Sequence, residues 1–492
     1  MAKKIIIIGG GVAGLSAGIY ARKNGFETEI FEMHNFAGGQ CTAWDRKGYR
    51  FDYCLHWLVG SKEGVFNKIW QETGVINSNT VVYNHKIYSR FVDTDNNEFL
   101  IYSNINDWEN YLINYAPEDE KAIRKMCDEM KKVIGFEPFE KSPETRSNMS
   151  YVNFMIKHFS IFRLMIKYGK KSYKSYLDSL GFTNKNLKQF MGGLFADRDF
   201  SALAFVLMLS WFHTGNAGYL MGGSLPFAQR MYNKYLSLNG KFNSNRKVVR
   251  ILTENNVAKG IMLEDGSVVF ADYVISAADG YSTIFKMLEG KYVSTEIKNA
   301  YDNWELFPPL VQVSFGINTK IPNNGTTSYL TKNLMIGSTP LKSGYTLMDY
   351  SFDPSMAPEG KTTMVMRFES NWEIWENMNE MTYKAEKEQI TKDAITILEK
   401  HYPDISRHIE VIDVATPKTT VKFTGVWQGA YEGFLPTSTN MMKNLKMQLP
   451  GLKSFYMIGQ WLFPGGGLPP SAQSGKWVIQ NICKQEKTTF TS

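Results

Sequence analysis

The sequence predicts an α/β protein in which a nucleotide-binding domain on a parallel sheet is interrupted by an inserted α+β domain. Three observations carry that expectation. The opening residues read strand, glycine-rich turn, helix, strand. Strand-rich sequence returns near Gly240 and again near Phe455, after blocks of helical or mixed pattern. The chain has 492 residues, more than one compact core accommodates, so two or three sub-domains are expected.

The elements follow in order. Lys4–Ile8 is β-branched and apolar, as a strand covered on both faces must be. Val12–Asn24 carries small and apolar residues at helical spacing and stops at Gly25. Thr28–Glu32 is the second strand. Tyr88–Tyr102 reads as a hairpin around Asp95-Asn96-Asn97. Asp107–Gly135 reads as helix, and Tyr151–Leu238 as mostly helical, aromatic and rich in methionine. Lys247–Thr253, Val257–Leu263 and Val268–Phe270 are short strands, with Glu264-Asp265-Gly266 turning the chain between the last two. Tyr273–Ala277 is a buried strand. Leu310–Ile317 and Thr363–Phe368 are strands, Met381–His401 is a charged helix, and Phe455–Cys483 is a strand, a loop and a helix. The expected division is 1–75, 236–290 and 426–492 for the nucleotide domain. The segments 76–235 (mainly helical) and 291–425 (richer in strands) form the inserted substrate domain.

Composition excludes several classes. Hydrophobic residues make up 43% and charged residues 21%, which rules out wholesale disorder. Cys41, Cys54, Cys127 and Cys483 are too few and too scattered for a disulfide scaffold or a zinc site, and fit a reducing cytoplasm. The net charge of +7 is modest for this length, and no basic–aromatic surface suggests nucleic acid. The longest apolar stretch, Phe200–Phe212, is shorter than the roughly 20 residues a bilayer needs. It is either a buried helix or the wall of a substrate tunnel. No metal cluster, serine triad or Walker loop stands out.

Gly9, Gly11 and Gly14 form G-x-G-x-x-G between a buried strand and a helix, where a dinucleotide fingerprint belongs. Gly9 allows the tight turn, Gly11 lets the backbone approach a pyrophosphate, and Gly14 lets helix and strand pack closely. The helix N-terminus offers free N–H groups to the phosphates. Glu32, at the end of the second strand, is placed to accept from a ribose hydroxyl and would repel a 2′-phosphate. Gly38-Gly39 makes a second close approach. The segment Met457–Pro470, with Gly465-Gly466-Gly467, is another glycine-rich loop before a helix, suited to the pyrimidine edge of a flavin. These features point to FAD. No second G-x-G-x-x-G is present, so a resident NAD(P)H site is not expected.

The stretch Ile5–Asp52, with G-G-G-V-A-G-L-S-A, Glu32, Gly38-Gly39 and G-Y-R-F-D, resembles the phytoene desaturase, carotenoid isomerase and retinol saturase family. Leu263–Ala278 is similar to that family's second nucleotide-domain segment, and Gly459–Gly467 to its C-terminal flavin motif. The Cys54–Gly60 segment is closer to the retinol saturase branch. The resemblance implies a Rossmann-type FAD-binding domain of the glutathione-reductase kind, with FAD held non-covalently and a long apolar tunnel ending at the flavin. It implies polyene or other isoprenoid lipid substrates whose carbon–carbon double bonds are formed, reduced or isomerised. Carried over by position, the FAD contacts are Gly9, Gly11, Ala13, Gly14, Glu32, Gly39, Val249 at the adenine, Ala277, Gly459, Gly467 and Leu468. Gln40 departs from the family's usual basic residue, and Gln460 from an acid on the ribityl chain.

Flavin chemistry on such bonds asks little of the protein beyond apolar walls and one proton donor. His56 is the candidate donor; the alternative is a core histidine satisfied by backbone. Tyr53 and Trp427 are further wall or donor candidates. Along Met155–Lys174, Arg163, Lys167, Lys170, Lys171 and Lys174 share one helical face, with Phe159, Phe162, Met165, Ile166 and Tyr173 on or near the other. That pattern fits either a helix lying on an anionic membrane, peripheral to the cytoplasmic face, or an ordinary amphipathic helix. The electron acceptor would be a quinone, oxygen or a protein carrier. The competing readings are an FAD amine oxidase acting on a small polar amine and a flavin-binding interaction protein without activity.

Overall fold

The computed structural model describes residues 2–195, 198–322 and 325–492. A five-stranded parallel sheet forms the base. Its order is Lys241–Asn243, Glu27–Phe31, Lys4–Ile8, Tyr273–Ser276 and Phe455–Met457. Lys4–Ile8 lies in the middle, which explains why Ile5, Ile6, Ile7 and Ile8 are all buried. The helix Val12–Lys23 crosses one face and packs along the last helix, Leu468–Gln485. The two backbones approach so closely that a Cβ on Gly475 would stand 2.7 Å from the Ala13 carbonyl oxygen. The chain's two ends thus meet in one layer.

The strands Val248–Glu254, Val257–Leu263 and Val268–Phe270 form a small antiparallel sheet beside this base. The inserted regions build the rest. A seven-stranded sheet runs in the order Ile409–Ala415, Leu310–Ile317, Thr362–Glu369, Tyr345–Asp349, Thr326–Tyr329, Ile87–Val92 and Glu98–Tyr102. The hairpin from the first insertion therefore completes the sheet of the second, through parallel pairing of Ile87–Val92 with Thr326–Tyr329. The helix Glu380–His401 covers the sheet with Ile390, Ala394, Ile397 and Leu398.

Most elements stand where the sequence puts them; the differences have local causes. The expected helix over Asp107–Gly135 is two helices, Ile105–Tyr115 and Glu120–Lys131. Pro117 separates them, because the residue before a proline is pushed out of helical geometry; Ala116 sits at φ −137°, ψ 71°. The helical block Tyr151–Leu238 contains a buried strand, Ala217–Leu220, which pairs with Leu58–Val59 and Val82–Tyr83. Its last helix, Ser224–Ser237, sits against the nucleotide domain rather than the insertion. Tyr235 fills the space beside Gly18, and its hydroxyl meets Thr28 Oγ1 at 2.9 Å. The continuous helix expected over 155–174 is broken at His158, φ −114°, ψ 32°, into Asn148–Lys157 and Phe159–Tyr168, and the next helix begins at Tyr173. Tyr173 belongs to no exposed apolar face: it is buried and donates to the Met191 carbonyl at 2.8 Å.

The first turn carries a sharp prediction. A Cβ on Gly14 would overlap the Gly9 carbonyl oxygen, whereas one on Gly11 would meet nothing nearer than Gly39 Cα at 3.8 Å. Gly14→Ala should therefore destabilise the fold by more than ~2 kcal/mol in denaturant unfolding, and Gly11→Ala by less than ~0.5 kcal/mol. Equal effects would show that the turn is not packed as described.

Candidate active site

One cavity of about 1340 Å³ runs from the carboxyl ends of the parallel strands into the inserted domain. A single small-ligand site occupies ~300–1,000 Å³, so this space exceeds one ligand. At the nucleotide end the wall contains Gly9, Gly11, Ala13, Glu32, Gly39, Val249 and Ala277, and at the far loop Gly459, Gly467 and Leu468. Of the cofactor positions carried over from the family, only Gly14 lies off the wall. Its place is behind the turn, pressed on Gly9.

The local fold explains this grouping. Gly38 N–H donates to the Gly10 carbonyl at 2.9 Å, which pins the Gly38-Gly39 loop against the first turn. Glu32 is 6% exposed; it accepts from Gly10 N–H at 2.6 Å and from His34 N–H at 2.9 Å. Burial pushes its carboxyl above the usual range even so. No side chain caps the helix Val12–Lys23 at Gly11, or Leu468–Gln485 at Gly467. The first helix therefore presents free amides; the second, whose Pro469 and Pro470 carry no N–H and whose Ser471 amide is spent on the Gly467 carbonyl, presents that of Leu468, and both turn the positive end of their dipole to the cavity. Gly467 has φ +87°, a conformation that favours glycine, and it aims the loop back to the strand ends. An uncapped helix start, an open face at Gly11 and an ordered carboxylate beside it suit a dinucleotide with a pyrophosphate and a ribose. Gln40 and Gln460 also line the cavity.

Beyond the loop the wall becomes apolar. The helix Ala202–His213 contributes Ala204, Leu207, Met208, Trp211 and Phe212, while Leu203, Phe205, Val206 and Leu209 of the same helix are core. One side of this segment is cavity wall and the other is packing. Tyr53 also lines the cavity, but its hydroxyl is engaged with Thr420. Trp427 does not line it; its ring stacks on Tyr281 at 4.6 Å and 8°.

His56 is in the wall, with a charge state that alters its use. Its Nδ1 meets the Cys54 carbonyl at 2.9 Å, so the ring N–H points there and Nε2 is left as an acceptor. The ring opens into the cavity rather than to bulk water. Poor solvation, with Arg367 nearby, drives its pKa down to about 4. At neutral pH His56 is thus an uncharged acceptor and a poor proton donor.

The sequence did not single out three other polar groups. Arg367 donates to Gln312 Oε1 at 2.9 Å and to the carbonyls of Asp52 and Tyr53 at 3.1 and 2.7 Å, fixing the segment that leads to His56. Asp279 accepts from the Ser282 and Trp427 amides, and burial raises it to about 6. Glu432 stands in the wall beside Gly467, and burial raises its carboxyl to about 7. A lone acid in a loop has no periodicity to reveal it. Each depends on distant segments closing around it.

The depressed pKa of His56 has a stability consequence. A group whose folded pKa lies below its unfolded value stabilises fully above the unfolded value of ~6.5, and that stability is lost as pH falls toward 4. The unfolding midpoint should decline across that window, and less steeply in a His56→Gln protein. Parallel declines would mean that His56 is solvated as in the unfolded chain.

Comparisons with known proteins show the family. The description "Flavin containing amine oxidoreductase" matches residues 12–478. A prolycopene isomerase from an Oncidium hybrid cultivar is 24% identical over 493 residues, covering 97% of this chain and 83% of that protein. A 1-hydroxycarotenoid 3,4-desaturase from Flavobacterium sp. (strain P99-3) is 22% identical, covering 96% of this chain and 98% of that protein. The solved cyclohexylamine oxidase from Brevibacterium oxydans superposes with a TM-score of 0.61 at 12% identity, covering 99% of this chain and 100% of that one. That last likeness shows the fold alone. With a single match spanning 12–478, most of the chain, this chain belongs to the flavin containing amine oxidoreductase family and is an FAD-dependent oxidoreductase.

Proposed function

We propose that the protein forms, reduces or isomerises a carbon–carbon double bond in a long apolar substrate of the carotenoid, retinoid or wider isoprenoid class. The single observation that carries this reading is the shape of the cavity. It joins the nucleotide end to a wall of Leu207, Met208, Trp211 and Phe212 without interruption. A polyene could lie against such a wall with one bond at the cofactor, and its chain would lose apolar surface to the protein over its length. The isomerase and desaturase similarities support the same substrate class.

In this reading Gly9, Gly11, Ala13, Glu32 and Gly39 hold the pyrophosphate and ribose of FAD, and Val249 and Ala277 flank its adenine half. Gly14 seats the helix, and Gly459, Gly467 and Leu468 hold the flavin ring. Bound there, FAD supplies hydride exchange. The chain supplies orientation and excludes water, while Arg367 keeps the Tyr53–His56 segment in place. Desaturation would pass electrons on to a quinone, oxygen or a protein carrier; isomerisation needs no acceptor.

Among the described residues no helix is long and apolar enough to cross a membrane. A surface contact is a separate matter. No residue of the helix Asn148–Lys157 is buried, and Ile156 and Phe159 are 72% and 64% exposed. Lys157, Arg163, Lys170 and Lys174 are exposed around them, while Lys167 pairs with Glu129 at 2.9 Å. A Cβ on Gly169, at the end of the second helix, would reach Met442 Cγ at 3.4 Å, and the adjacent Met441 lines the cavity. The helix pair thus leads from an apolar–basic surface to the cavity rim, as delivery of a lipid from an anionic bilayer requires.

Organic extraction of the purified protein followed by mass spectrometry should recover FAD with a polyene or related lipid. Added poly-cis or partly saturated polyenes should be converted. FAD without lipid, with peroxide forming on addition of amines, would favour amine oxidation instead. In sedimentation with vesicles containing phosphatidylglycerol, Ile156→Asp/Phe159→Asp should bind at least ~10-fold more weakly than the native protein. Unchanged binding would remove the helix pair from the membrane account.

A further inference from the structure

Four carboxyl side chains line the cavity among the described residues: Glu32, Asp279, Glu369 and Glu432. Three are held. Glu32 accepts from the amides of Gly10 and His34, and Asp279 from those of Ser282 and Trp427. Glu369 is paired with Arg198 and accepts from Ser343 Oγ at 3.0 Å. Glu432 alone faces the cavity with neither a hydrogen bond nor an ion pair, and burial is the whole cause of its raised pKa. A half-buried carboxyl in a poorly solvated wall without a partner is costly unless it is protonated or used.

Its position is firm. The Gly465–Gly467 loop wraps its backbone: a Cβ on Gly466 would overlap the Glu432 carbonyl oxygen, and one on Gly467 would come within 3.5 Å of Oε1. The carboxyl therefore stands at the uncapped start of Leu468–Gln485, beside the loop assigned to the flavin ring, where the apolar wall begins. Tyr88, on the strand Ile87–Val92, and Tyr431 are the titratable groups that feel its charge. Burial pushes Tyr88 up to about 12 and raises Tyr431 as well, so both hydroxyls stay neutral. Arg367 and Arg198 act on Tyr431, but neither offsets Glu432. Lys476, on the same last helix, is spent on Glu72 and Glu140 at 2.9 and 3.2 Å.

We propose that Glu432 is the catalytic acid–base of this cavity, giving a proton to one carbon of the substrate's conjugated double bonds and taking a proton back from the same system. The inference rests on the polyene reading of the site. In isomerisation the balance closes on the chain and substrate alone. The Glu432 O–H bond breaks as a C–H bond forms from the π pair, leaving a cation spread over the remaining polyene. The former double bond rotates. The C–H pair then returns to the π system and the proton to the carboxylate, with no net gain or loss of electrons. The carboxylate formed beside the cation also stabilises it electrostatically. In desaturation or reduction the same group would carry the one proton that leaves or joins the second carbon, the hydride being the chemistry a bound flavin would supply. The role expected of His56 in the sequence thus passes to Glu432, which holds a proton near neutral pH where His56 does not.

The test uses the holoenzyme with Glu432→Gln and Glu432→Asp. Visible flavin absorbance should show that both retain FAD. In D₂O the native enzyme should return polyene carrying carbon-bound deuterium. Glu432→Gln should lose both that label and ~10²–10⁴-fold of turnover, and Glu432→Asp should recover part of each. A merely structural or flavin-binding role would alter FAD retention and leave deuterium transfer intact. Independently, infrared difference spectra of the native protein should show a protonated carboxyl band that disappears near neutral pH and is missing from Glu432→Gln. Label and turnover within about twofold of native in the Gln protein would overturn the proposal, as would a Glu432 ionised at all accessible pH values. If Glu432→Gln loses FAD, the infrared titration and the Asp protein decide. A native enzyme that converts no polyene would overturn the substrate reading and this role with it, while the infrared band would still report whether the carboxyl titrates as described.

Discussion

The whole arrangement depends on one crowded contact, Gly14 against the carbonyl of Gly9. A side chain at that point would lift the helix Val12–Lys23 from the sheet. The helix start would then no longer face the strand ends, and Gly475 could no longer sit against Ala13. Close backbone packing at the first turn therefore determines where the last helix lies. The last helix in turn carries the Gly465–Gly467 loop to the same cavity as Gly11 and Glu32. A dinucleotide site assembled from opposite ends of a 492-residue chain follows from the absence of a methyl group.

The inserted domain uses that platform without altering it. Its two sequence segments are joined by strand pairing between Ile87–Val92 and Thr326–Tyr329. Its helical part is tied to the last helix by the Phe139 and Glu140 carbonyls, which accept from Gln473 and Trp477 at 3.0 Å each. The cavity lies between these layers, so its walls mix first-turn and loop glycines with aromatic and aliphatic side chains. Low polarity there has two effects. It favours an apolar ligand, and it holds ionisable groups in their neutral forms, as His56 and Glu432 both show.

Local chemistry was legible in the sequence and long-range closure was not. The strands Lys4–Ile8, Val257–Leu263 and Leu310–Ile317 were readable because their burial is written into consecutive residues. The glycine pattern was readable because each position has a separate steric reason. Ala217–Leu220 was missed because four residues inside a helical block carry no periodicity, and their strand state comes from Leu58–Val59 and Val82–Tyr83. The break at His158 has no proline or glycine to announce it. The one at Ala116-Pro117 is announced by its proline. Glu432 was invisible for a different reason: its pKa and its isolation exist only once the Gly465–Gly467 loop has folded over it.

The central claim is that one continuous cavity brings a polyene to the flavin. Its most direct test is an anaerobic titration of the purified holoenzyme with a polyene in detergent, followed by the visible absorption of the bound flavin. The account predicts a saturable perturbation or reduction of the flavin spectrum at about one polyene per FAD, with small amines leaving it unchanged. A flavin indifferent to every polyene but reduced by an amine would contradict it.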